Sequence, residues 1–232
     1  MKKAKIILTS TEFNKQEMLK YYGGLFKTDK ILLDKIKVVP LAYDNKKFNL
    51  EMPAQPNKFG KYILSIGRLE EKKNTKRIVE AFGLLKPIFA DLKLVLVGHP
   101  GAGYGAVCEA VNNSKYKDDI IELGYADDVA GVLKNAQVFV FPSLYEGFGI
   151  PVLEAMAVGV PVVTSSIPAL LEVAGEAVQY ANPLNIQAIA DKINKFLKDK
   201  QFRQEKIECG LKQVEKYSWQ NTAETSMKNL LL

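Results

Sequence analysis

The chain has 232 residues, 25% of them charged and 47% hydrophobic, and its 32 Lys and Arg against 26 Asp and Glu give a formal net charge of +6. With 16 glycines, 10 prolines and apolar residues throughout, collagen, coiled coil and a disordered tail are excluded. The most apolar stretch, Ile150 to Val163, is broken by Glu154, Gly159 and two prolines and is too short to span a bilayer, and Ile6-Ile7-Leu8 behind Lys2 and Lys3 is too short for a signal peptide.

The predicted elements begin with a strand at Lys5–Thr9, a helix at Glu12–Tyr22 and a short strand at Ile36–Val39. Pro53, Pro56, Asn57 and Gly60 then mark a linker, placed at 48–60. This divides the chain into a first segment (1–47) and a main domain (61–232). In the main domain the predicted strands are Tyr62–Ile66, Leu92–Val97, Ile120–Leu123, Val138–Phe141, Pro161–Thr164 and Ala177–Tyr180. They alternate with helices near Thr75–Leu85, Ala106–Ser114, Asp127–Ala136, Pro151–Val158 and Ala169–Ala174. Three more close the chain: Ile186–Leu197, Phe202–Lys216 and Trp219–Leu230. Alternating strands and helices predict an α/β fold with a parallel sheet. Leu94–Val97 and Val138–Phe141 are apolar on both faces, as strands covered on both sides must be.

Nearly every strand ends in a small or turn-forming residue: Gly67, Gly98, Gly124, Pro142-Ser143 and Ser165-Ser166. Ligands of open α/β sheets bind at those ends, where glycine lets backbone approach closely and the next helix offers its N–H groups to an anion. The residues available for other chemistry are few. Cys108 and Cys209 are far apart and form no metal spacing or disulfide framework, which fits a reducing cytoplasm. His99, the single histidine, cannot build a Ser-His-Asp triad or a His-rich metal site. No basic stripe with interleaved aromatics points to nucleic acid. The mild positive charge fits phosphate-bearing ligands or an anionic membrane surface, but a lysine-rich solvated surface is its more common meaning.

Three constellations carry chemistry. In Gly67-Arg68-Leu69-Glu70-Glu71-Lys72-Lys73-Asn74, Arg68 offers a planar fork to phosphate oxygens and Lys73 a point charge. The same run also reads as a solvated first helical turn. Gly98 to Ala106 holds a loose G-x-G-x-x-A dinucleotide fingerprint and His99, which is either a ligand contact or a structural loop histidine. The third, Tyr145-Glu146-Gly147-Phe148-Gly149-Ile150-Pro151 followed by Glu154, is the most specific. Proline stands at a helix start, glycines leave amides open beside Glu146, and Glu154 lies one turn into an apolar helix. Ribose hydroxyls are natural partners for that carboxylate.

These motifs resemble the nucleotide-sugar-binding lobe of retaining glycosyltransferases with the two-lobed GT-B fold, specifically family 4. The matching text includes Ser65-Ile66-Gly67-Arg68-Leu69 with Lys73-Asn74, Leu123-Gly124-Tyr125, Pro142 to Ala157, Gly159 to Ser165 and Glu172-Val173-Ala174-Gly175. It covers essentially Tyr62 to Leu232, and Ala4 to Asp44 more loosely. The resemblance implies a Rossmann-like doubly wound parallel sheet and transfer of a hexose from a UDP- or GDP-sugar (mannose or glucose type) to a glycan or lipid-linked glycan, with retention. It implies that Arg68, Lys73 and Glu146 act catalytically. Gly67, His99, Tyr125, Gly147, Phe148, Gly149, Ile150 and Glu154 would hold the donor, with Glu154 on the ribose and no metal cofactor. A cytoplasmic protein, peripheral at the membrane, is expected.

Most of the family's first, acceptor-binding lobe has no counterpart here, and Ala42 stands in the crossover where a glycine is usual. The expectation is therefore a donor lobe that needs an opposing lobe, supplied by a partner chain if the two are split. The rival readings are a non-catalytic nucleotide-sugar-binding subunit or truncated relic, and a dinucleotide-binding module built on Gly101 to Ala106.

Overall fold

Strands that are apolar on both faces can be stable only between two layers of helix. The computed structural model of the chain describes residues 4–22, 33–53 and 56–231 and has that architecture. Residues 23–32 of the first segment and 54–55 of the linker lie outside the described residues.

Two short parallel strands come first, β1 (Ile7–Thr9) and β2 (Ile36–Val38), paired Ile7 to Ile36 and Thr9 to Val38. Helix α1 (Glu12–Tyr22) follows β1. The main sheet is wholly parallel. Its strands are β3 (Tyr62–Ile66), β4 (Lys93–Val97), β5 (Ile120–Gly124), β6 (Val138–Phe141), β7 (Val162–Ser165) and β8 (Gln179–Ala181), in the order β5-β4-β3-β6-β7-β8. The connecting helices are α2 (Thr75–Leu85), α3 (Tyr104–Asn113), α4 (Val129–Lys134), α5 (Ile150–Ala157) and α6 (Pro168–Ala174). After β8 come α7 (Ile186–Lys198), α8 (Lys200–Val214) and α9 (Trp219–Leu230). No helix among the described residues is long and apolar enough to cross a membrane.

The period of two along the strands splits the core cleanly. Tyr62, Leu64, Val95, Val97, Phe139 and Phe141 face one side, with residues of α4, α5, α6 and α8. Ile63, Leu94, Leu96, Val138 and Val140 face the other, with α2 and α7. Phe48, from the expected linker, is buried in the first of these layers, and Met52 and Phe59 pack against it. The chain runs outward from β3 to β4 and β5, then returns to β6 on the other side of β3 and runs outward again. The connections therefore diverge at the β3–β6 junction and open a crevice at the carboxyl ends of those two strands.

Element boundaries move where a cap decides them. The helix expected from Phe202 begins at Lys200, because the Asp199 carboxylate accepts the Phe202 N–H at 2.9 Å. The helix expected from Asp127 begins at Val129, because Asp128 accepts from the Gly131 N–H at 2.9 Å.

The carboxyl ends of β3 and β4 are laced together. Leu69 N–H donates to His99 O (2.9 Å), Gly101 N–H to Leu69 O (3.1 Å) and Glu71 N–H to Ala102 O (2.9 Å). This closeness makes Gly98 obligatory. Its φ is +148°, and a Cβ there would lie 1.8 Å from the carbonyl oxygen of Gly67. Gly105 sits in α3 with nothing within 4 Å of a Cβ. Gly98→Ala is predicted to lower stability by about 3 kcal/mol or more. Gly105→Ala should raise it by up to about 1 kcal/mol. Urea denaturation of both variants checks the pair, and similar effects at the two positions would contradict the lacing.

Candidate functional site at the switch point

The loop after β3 tightens into a single 3-10 turn, Glu71–Lys73, and the next residue, Asn74, has a left-handed backbone (φ 62°) while starting α2. Asn74 is 2% exposed. Its side-chain amide donates to Pro142 O (3.0 Å) beyond β6 and to Pro183 O (2.7 Å) beyond β8, and its side-chain oxygen accepts from Arg77 (2.9 Å). Leu144 N–H donates to Lys72 O at 2.9 Å. The loops after β3, β6 and β8 are thereby fixed to one another, and the residue directly before the hub is Lys73.

Lys73 crosses the switch point to Glu146. Its Nζ lies 2.6 Å from Oε1, and both side chains are largely buried. The ammonium also lies 4.8 Å from the centre of the Phe141 ring. Gly67 makes room for the lysine stem: a Cβ there would meet three of its carbons at 3.6–3.7 Å. The charged first turn thus divides. Glu71 and Lys72 are exposed, while Lys73 turns inward. Arg68 is exposed beside it and makes no hydrogen bond or ion pair among the described residues.

Four backbone N–H groups, those of Gly147, Phe148, Gly149 and Ile150, follow Glu146, and none donates to a described residue. They open α5, whose first helical turn carries Pro151. Gly149 has φ 107°, and a Cβ there would come within 2.4 Å of Leu170, so the turn closes only on glycine. The Phe148 side chain is 5% exposed in the core, edge-on to Tyr217 at 5.7 Å, which leaves the backbone of Phe148, as the sequence reading has it, to face a ligand.

Glu154 sits one turn further along α5, half-buried, with no hydrogen bond from its carboxyl group to a described residue. Burial pushes its pKa up to about 7, with Lys47 opposing and Asp44 reinforcing the shift. Tyr125 and His99 stand at the ends of β5 and β4. Both are exposed, and their rings stack on each other at 6.3 Å and 13°. Tyr125 also lines a cavity of about 500 Å³ with Asn57, Asp127 and Asn135.

The glycines of the Gly101 to Ala106 fingerprint have a packing role. A Cβ at Gly101 would lie 2.7 Å from Glu70 Oε2, and one at Gly103 would lie 3.1 Å from Glu71 Cβ. Gly101 and Gly103 admit the neighbouring loop and its two carboxylates.

Several residues escaped the sequence reading. The Gly147 carbonyl accepts from Ser10 Oγ (3.0 Å), Thr11 Oγ1 (3.2 Å) and Asn14 Nδ2 (2.8 Å). The Glu172 carboxylate accepts the N–H groups of Glu12 (2.8 Å) and Phe13 (3.2 Å) at the start of α1. The only local signal was the Ser-Thr-Glu-Phe-Asn run, which reads as a helix cap: Thr11 Oγ1 does accept the Asn14 N–H at 3.1 Å.

A fixed ammonium, a free guanidinium and a row of open amides at a switch point define an anion-receptive Rossmann-like α/β unit. The family profile described as Glycosyl transferases group 1 matches residues 48–213. The O-antigen chain mannosyltransferase B of Escherichia coli is 32% identical over an alignment of 234 positions, gaps included, that covers 94% of this chain and 58% of that protein. An uncharacterized glycosyltransferase of Methanocaldococcus jannaschii is 32% identical over an alignment of 213 positions that covers 84% of this chain and 53% of its own. A solved glycosyltransferase from Rickettsia africae matches 97% of this chain and 62% of its own with a TM-score of 0.81 at 20% identity. Anabaena HepE, solved in complex with UDP and glucose, matches 98% of this chain and 63% of its own with a TM-score of 0.83 at 14% identity. The likeness to solved structures speaks to the fold, which is of the GT-B glycosyltransferase kind. The chain belongs to the group 1 glycosyltransferases and spans 53–63% of the length of these relatives.

The raised pKa of Glu154 has a definite sign in stability. The folded protein binds more protons than the unfolded one between the ordinary carboxyl value of 4.5 and about 7, so this carboxyl lowers stability as pH rises through that window. Glu154→Gln should therefore raise the melting temperature by a few degrees at pH 8 and change it little at pH 4. Equal shifts at both pH values would contradict the burial of an unpaired carboxylate.

Proposed function

We propose that this chain forms the donor side of a retaining hexosyltransferase that uses a nucleoside diphosphate sugar. The observation that carries the reading is the meeting of Lys73 and Glu146 at the switch point, beside four backbone amides with no partner among the described residues. The chemistry follows from the groups present. Cleaving the sugar–phosphate bond leaves charge on the diphosphate. Lys73, Arg68 and the amides of residues 147–150 would hold that charge in a fixed field, which lowers the barrier more than mobile water can. Glu146 would accept hydroxyls of the sugar once the diphosphate draws Lys73 away from it. Glu154 would accept the two ribose hydroxyls, and Tyr125 would flank the base.

A mannosyl donor is supported by the E. coli relative, whose name is that of a mannosyltransferase. Retention is supported by the Glu146 and Glu154 spacing, which resembles the paired glutamates of family 4. The acceptor would be a glycan or lipid-linked glycan presented by an opposing lobe, of which residues 1–47 form the end. That lobe excludes water from the site, so transfer depends on it.

Calorimetric titration with UDP, GDP and the parent nucleosides tests the assignment. Arg68→Ala and Lys73→Ala should each cost about 1.5–3 kcal/mol of diphosphate affinity and leave nucleoside affinity almost unchanged. Melting temperatures measured alongside separate this loss from the strain of leaving Glu146 unpaired. Equal losses for diphosphate and nucleoside would overturn the roles.

A further inference from the structure

The carbonyl of Gly147 is held from the opposite side of the loop by three side chains at the start of α1. Ser10, Thr11 and Asn14 all donate to it, across at least 133 residues of sequence. The three are also ordered among themselves: Asn14 Nδ2 donates to Ser10 Oγ at 3.0 Å, and Thr11 Oγ1 accepts the Asn14 N–H. Glu172 fixes the first turn of α1 against α6 through the N–H groups of Glu12 and Phe13. The start of α1 is thus anchored independently of the carbonyl it holds.

The peptide joining Gly147 to Phe148 is trans, like every described peptide bond. Its C=O and N–H therefore point in opposite directions. With the carbonyl turned to α1, the Phe148 N–H points away from α1, and it meets no acceptor among the described residues. The Phe148 ring is held in the core, which fixes the Phe148 Cα; the orientation of the peptide plane is then set by the grip on its carbonyl. Hydrogen bonds accepted by a carbonyl also polarise its amide and strengthen the N–H as a donor.

We propose that Ser10, Thr11 and Asn14 are positioning residues for donor binding: by holding the Gly147 carbonyl they aim and polarise the Phe148 N–H toward the diphosphate or sugar of the ligand. The inference rests on the reading of residues 147–150 as the donor cradle. It makes affinity for the diphosphate depend on a helix of the first segment, which lies outside the main sheet. Displacement of α1 would then loosen the grip on the nucleotide, coupling movement of the first segment to donor capture and release.

The test is the double variant Ser10→Ala with Asn14→Leu, which leaves the Thr11 cap of α1 in place. In the ligand-free protein, NMR should show the Gly147 carbonyl-carbon and Phe148 amide-nitrogen resonances shifted from their unaltered positions. Titration should then show the affinity for UDP or GDP reduced about tenfold, the scale of one charge-assisted hydrogen bond, with uridine or guanosine affinity unchanged. Ser10→Thr, which keeps the hydroxyl, should bind like the unaltered protein. Shifted resonances with undiminished diphosphate affinity would overturn the inference alone, as would equal loss for diphosphate and nucleoside. Resonances that do not move would show that the clamp is absent and overturn it too. Failure of the unaltered protein to bind either diphosphate would overturn the donor-site reading, and the inference with it.

Discussion

One buried asparagine holds the site together. Asn74 bridges the carbonyls of Pro142 and Pro183 from a left-handed backbone, which asparagine tolerates better than most residues. The sheet alone cannot impose this order. At the switch point the connections of β3 and β6 diverge, and a single backbone hydrogen bond, Leu144 N–H to Lys72 O, ties their loops among the described residues. The Asn74 amide adds the side-chain ties, and Lys73, one residue earlier, is thereby aimed across the crevice at Glu146. The cation and the carboxylate meet because of where an uncharged neighbour is fixed.

The glycines around the crevice serve two different ends. Gly98 and Gly101 let the loops after β3 and β4 touch, with no space left for a ligand between them. Gly67 and Gly149 instead shape the crevice, one by admitting the Lys73 stem and the other by closing the turn into α5. A row of glycines at strand ends thus separates into packing positions and site positions only when the opposing loop is known. That is why a G-x-G pattern by itself says little about phosphate.

Much of the fold could be read from local pattern. α1, α2, α9, β3 and β6 begin and end where periodicity, apolar runs and turn residues put them. α4 and α8 shifted because a cap residue one or two positions away set the start. The Glu146 and Glu154 pair stood out because a glutamate one turn into an apolar helix is unusual. Contacts between distant segments were not. Nothing in Glu172 announces that it caps α1, and nothing near Ser10 announces that it reaches the Gly147 carbonyl. The charged turn after β3 left two readings open, and the structure assigns one to each part: Glu71 and Lys72 to solvent, Lys73 to the crevice.

The central claim is that the nucleotide enters at the switch point and competes with Glu146 for Lys73. A structure of the chain with a nucleoside diphosphate bound tests it most directly. The account predicts phosphate oxygens against the N–H groups of residues 147–150, with the Lys73 ammonium moved from Glu146 onto the diphosphate. Phosphates seated on the loop of residues 99–106, with the Lys73–Glu146 pair intact, would contradict it.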